Sequence, residues 1–92
     1  MMKYEIEADV FSLLAAHPPL ERAFTDFLAR VRVSPQALIR ETEFMYQAGT
    51  SDRRRVWLTA HAKPHELLVI IKLDRNIPRF WIVACEVLDP NS

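Results

Sequence analysis

The clearest pattern lies between Pro18 and Val31. Leu20, Ala23, Phe24, Phe27, Leu28 and Val31 recur at the spacing of one helix face, and Glu21, Arg22, Asp26 and Arg30 occupy the other. This predicts an amphipathic helix with a solvated side. An earlier helix is expected from Asp9, a residue able to cap it, with Val10, Leu13 and Leu14 as its apolar members. It must stop near His17, because Pro18 and Pro19 follow and a residue before proline avoids the α region. Ser34-Pro35 starts a third helix, with serine at the N-cap and proline in the first turn. Its end is open between two readings. Gly49 could terminate a helix running to Ala48, or the helix could end near Glu41 and Glu43–Gln47 could form a strand with Phe44 and Tyr46 on alternate positions.

From Arg55 the period changes to two. Val56, Leu58 and Ala60 alternate with Trp57, Thr59 and His61. Leu67-Leu68-Val69-Ile70-Ile71 is apolar on both faces, as expected of a central strand, and Phe80–Cys85 continues toward Leu88 as a third strand starting near Pro78. Ala62-Lys63-Pro64 and Asp74–Ile77 are short connections, which imply antiparallel pairing. Lys3–Ile6 alternates and could add a short strand. The expected fold is therefore α+β. Two or three N-terminal helices pack on one face of a three- or four-stranded antiparallel sheet formed by the C-terminal half. One domain spans 1–92, helical over about 9–41 or 9–48 and sheet over about 43–88.

Composition narrows the classes. Ninety-two residues make one small domain, and a hydrophobic fraction of 50% with 26% charged residues suits a packed core rather than disorder. The one cysteine, Cys85, excludes an internal disulfide, and a reducing, cytoplasmic setting is expected. Met1-Met2-Lys3-Tyr4-Glu5 has no leader pattern, and no apolar run approaches the roughly 20 residues of a membrane helix. Net charge is zero but unevenly placed: Asp52–Arg79 holds seven bases against three acids. A basic half can present a focused positive surface to an anion.

The candidate chemistry follows that asymmetry. His61-Ala62-Lys63-Pro64-His65 brackets a connection and gathers two imidazoles and an ammonium. Metal-independent RNA cleavage needs a proton acceptor, a proton donor and a cation beside the phosphate, which His, Lys and Arg supply. The plainer reading is a polar hairpin tip. His17 could act on a proton or simply end a helix. Arg53-Arg54-Arg55, with Lys63 and His65, could bind phosphates or form a solvated run. On a sheet face left bare by the helices, Trp57 and Trp81 could anchor a protein partner or a second copy. Cys85 reads as a buried, inert thiol. The histidines and the cysteine lack metal-ligand spacing, and one glycine allows no phosphate loop, so neither metal nor cofactor is expected.

His17-Pro18 through Ser34-Pro35, Arg54-Arg55-Val56-Trp57-Leu58, Leu67–Lys72 and Trp81-Ile82-Val83-Ala84 together resemble the barnase–EndoU–colicin–RelE group of small metal-independent ribonucleases, including RelE- and BrnT-type toxins. The resemblance covers roughly three-quarters of the chain. It implies an endoribonuclease working by general acid–base chemistry, with His17, Arg55, His61 and Lys72 as candidate catalytic residues. RNA is the implied substrate and a cognate inhibitor an implied partner. The alternative is a non-catalytic interaction or dimerisation module using the bare sheet face.

Overall fold

The computed structural model describes residues 1–60 and 65–89. His61, Lys63 and the Ala62-Lys63-Pro64 connection lie outside the described residues. The chain forms β1 (Lys3–Ile6), α1 (Ala8–Ala15), α2 (Pro18–Val31), α3 (Pro35–Glu41), β2 (Glu43–Ala48), β3 (Ser51–Thr59), β4 (Glu66–Asp74) and β5 (Arg79–Leu88). The α+β class is as expected. The sheet, however, has five strands in the order β1-β5-β4-β3-β2 and is mixed. β1 pairs in parallel with β5, while the other neighbours are antiparallel. The sheet is thus neither three- nor four-stranded, nor built from the C-terminal half alone. Parallel pairing needs a crossover, and here nearly the whole chain supplies it.

Local chemistry sets the helix boundaries. α1 begins at Ala8 with Glu7 in the cap position, so Asp9 lies in the first turn and is not the cap. His17 holds the cap position of α2 without a side-chain cap, and its carbonyl accepts from Leu20 N and Glu21 N at 3.0 Å each. Ser34 Oγ accepts from Ala37 N at 3.1 Å, as its N-cap role requires. α3 stops at Glu41 because Thr42 is extended (φ −125°, ψ 160°), its hydroxyl donating to the Leu38 carbonyl at 2.7 Å. Glu43–Ala48 is therefore a strand. Gly49, at φ +62°, serves the β2–β3 turn instead of ending a helix. β5 starts at Arg79, one residue after Pro78.

The predicted stripe of α2 forms the centre of the core: Leu20, Phe24, Phe27, Leu28 and Val31 are buried. They meet Leu67, Val69, Ile71 and Leu73 from one face of β4 and Phe80 and Ile82 from β5. Each large side chain so buried contributes about 1.5–3 kcal/mol. α2 and α3 leave the opposite sheet face uncovered. There β4 presents Leu68, Ile70 and Lys72, half-buried by their neighbours alone.

Candidate nucleic-acid interface

The ladder register shows which side chains share the uncovered face. Residues paired across strands point the same way, and alternate residues of one strand do too. One row crosses the whole sheet: Tyr46 on β2, Arg53 on β3, Lys72 on β4, Trp81 on β5 and Glu5 on β1. Beside it runs a second: Glu43, Arg55, Ile70 and Ala84. A third carries Trp57, Leu68 and Glu86.

Charge is unequally answered along these rows. Arg55 Nη2 lies 3.1 Å from Glu43 Oε1. This contact holds the Glu43 carboxyl below its ordinary value, first through the hydrogen bond and then through the opposite charge, and raises Arg55 for the same reasons. Arg79 is paired with Glu5, which also accepts from Trp81 Nε1 at 2.9 Å. Arg53 and Lys72 have no carboxylate partner among the described residues. Arg53 Nη1 is shielded from water and has no acceptor among the described residues. The Lys72 ammonium sits 4.6 Å from the centre of the Trp81 ring, and the Arg79 guanidinium 5.0 Å from it. Two half-buried cations therefore adjoin, with Trp81 holding one of them in place. Tyr46 and Trp57 offer rings that are 54% and 45% exposed.

The middle member of the arginine run does something else. Arg54 points to the helix side and is 8% exposed. Its Nε donates to Thr42 Oγ1 at 2.7 Å, and its Nη2 donates to the carbonyls of Thr42 and Ile39 at 3.1 and 3.3 Å. Its Nε and Nη2 are occupied in fastening the end of α3 to β3, so it is not placed to clamp a phosphate.

A separate cluster sits at the other end of β4. The rings of His17 and His65 are 6.2 Å apart, and His65 Nε2 lies 3.4 Å from Asp89 Oδ2. With Pro18, Pro19, Leu20 and Ala60 the two imidazoles line a cavity of about 220 Å³. Such a pair can take and return a proton. Seven residues of strand separate His65 from Lys72, about 23 Å at 3.3 Å per residue. The candidate catalytic residues are thus divided. His17 joins His65, Arg55 and Lys72 belong to the open face, and His61 is outside the described residues, as is Lys63. Trp57 and Trp81 sit at positions four residues apart along β4, too far to act as one anchor.

Tyr46, Arg79, Glu5 and Asp89 were not singled out by the sequence. Arg79 and Trp81 share a face through their two-residue spacing, which was available as a signal; the Glu5 contact depends on a parallel pairing that no local pattern encodes. Among the described residues no three His, Cys, Asp or Glu side chains come together to hold a metal, and no helix is long and apolar enough to cross a membrane. Compared with known proteins, the chain matches no family model, no curated protein and no solved structure.

Proposed function

We propose that this chain binds single-stranded RNA in the cytoplasm across its uncovered sheet face. The supporting observation is the row Tyr46–Arg53–Lys72–Trp81, two adjoining uncompensated cations flanked by aromatic rings. Phosphate oxygens would accept from Arg53 and Lys72. Bases would stack on Tyr46 and Trp57, contacts typically worth about 1–3 kcal/mol each. With two phosphates neutralised, the slope of log K against log salt would be about −1.4. Fluorescence anisotropy with a labelled single-stranded oligoribonucleotide tests this reading. Binding should exceed that to a duplex, and Arg53→Ala and Lys72→Ala should each weaken it about tenfold. No saturable binding at low salt would sink it.

A second reading, metal-independent RNA cleavage, draws support from the His17–His65 contact at 6.2 Å. Here one imidazole would remove the 2′-hydroxyl proton while the other protonates the leaving oxygen, and the sheet face would hold the strand. Incubating RNA with the protein in excess chelator tests it. Wild type should cleave and His17→Ala or His65→Ala should not. Intact RNA with wild type, together with normal growth of cells expressing it, would leave the binding reading alone.

A further inference from the structure

We propose that two copies of this protein join through the free half of the β3 edge, forming one continuous antiparallel sheet about a two-fold axis. β2 pairs with Ser51–Arg55 only. From Val56 to Thr59 the strand is laddered to β4 on one side, and its outward backbone groups have no hydrogen-bond partner among the described residues. This edge is fixed, not frayed. Arg54 pins Thr42 through both its hydroxyl and its carbonyl, so the chain arriving from α3 meets β3 only at Arg55.

The three free edges of the sheet differ. β1 is four residues long and carries Lys3 and Glu5. The β2 edge is broken by a register shift at Met45. Shortness, charge and bulges are the usual guards against edge pairing. Val56-Trp57-Leu58-Thr59 has none of them: no charge, no proline, no bulge. Beside it, a groove of about 1010 Å³ lies between β3 and α2. A strand can enter along it.

The wall of that groove argues for a second copy as the occupant. α2 contributes Glu21, Arg22, Asp26 and Arg30, two acids and two bases, so the groove favours neither a polyanion nor a polycation. Arg22 and Asp26 lie one helical turn apart on the exposed side, yet neither has an ion-pair partner among the described residues. A two-fold axis normal to the sheet sets β3 antiparallel to its copy and brings the two α2 helices alongside, also antiparallel. Arg22 then faces Asp26 of the partner subunit, and the pair occurs twice. Such reciprocal matching is what an isologous interface requires. The edge shares Trp57 with the proposed RNA face, but the association rests on the β3 backbone and on Arg22 and Asp26, which the RNA reading does not use.

Sedimentation velocity from micromolar to millimolar protein, without RNA, tests the proposal. Wild type should shift from monomer to dimer mass with concentration. Arg22→Asp and Asp26→Arg should each weaken the dimer at least tenfold, since each turns two attractive pairs into repulsive ones. The double variant R22D/D26R should restore it. Both substitutions lie on an exposed helix face, and circular dichroism checks that the fold is kept in all three variants. A monomer throughout the range overturns the proposal. So does a dimer insensitive to both single changes, or one that the double change does not restore.

Discussion

Arg53 and Lys72 stand directly opposite one another in the β3–β4 ladder, two cations where a sheet ordinarily places an unlike pair. Like charges so placed are destabilising, and neither is relieved by a carboxylate among the described residues. The arrangement is reasonable if an anion completes it. Function and stability should therefore move in opposite directions here. Replacing Lys72 with Met keeps its apolar stem over Trp81 and removes the repulsion. Thermal unfolding at low salt should show stability unchanged or raised by up to about 1 kcal/mol, while affinity for single-stranded RNA falls about tenfold. A clear loss of stability would mean that the Lys72–Trp81 contact outweighs the repulsion.

Much of the fold and of this face was legible in the chain and much was not. The stripe of α2 is periodic and β4 is a continuous apolar run, and both patterns report burial directly; both fell where expected. Thr42–Ala48 was ambiguous because Phe44 and Tyr46 suit a strand and Gly49 suits a helix end. The Thr42 hydroxyl, bonded to the Leu38 carbonyl, and the buried Arg54 guanidinium decide it, and the second is a long-range contact. Arg54 itself shows the limit. Three arginines in sequence look equivalent, but strand alternation sends Arg53 and Arg55 to one face and Arg54 to the other. The separation of His17 and His65 from Lys72 likewise depends on where along β4 each residue falls.

Arg54 is expected to be the most sensitive of the three arginines to substitution. Its guanidinium is buried and satisfies the carbonyls of Ile39 and Thr42 as well as the Thr42 hydroxyl. Truncation leaves those acceptors without a partner in a site with little access to water. Arg54→Ala should destabilise the protein by about 2–4 kcal/mol. Arg55→Ala, which loses only an exposed ion pair, should have a much smaller effect. Urea denaturation of the two variants measures the difference, and equal losses would contradict the distinction.

Gly49 offers a cleaner test of backbone conformation. It is the one residue with positive φ among the described residues, and a Cβ built there meets nothing within 4 Å. Gly49→Ala should therefore cost about 1 kcal/mol through left-handed strain alone, and Gly49→Asn less, because asparagine tolerates that region. Chemical denaturation would show this order, Gly above Asn above Ala. A neutral alanine would indicate that the turn readily adopts another form.

Cys85 links the core to alkaline pH. Burial against the helix layer, and secondarily the negative charge of Asp9, push its thiol up to about 12 from 9.0. Below pH 9 the thiol is protonated in both folded and unfolded chains, and the burial carries no pH dependence. Between about 9 and 12 the unfolded chain releases the proton while the folded one retains it. The unfolded state then binds fewer protons, so stability falls as pH rises through this window. Cys85→Ser lacks this titration and should show a flatter stability profile from pH 9 to 11 than wild type, whatever its stability at pH 7. The same raised value keeps the thiol unreactive: an alkylating reagent at pH 8 should modify unfolded protein at least tenfold faster than folded protein. Rapid modification of the folded chain would show that Cys85 is open to solvent as a thiolate.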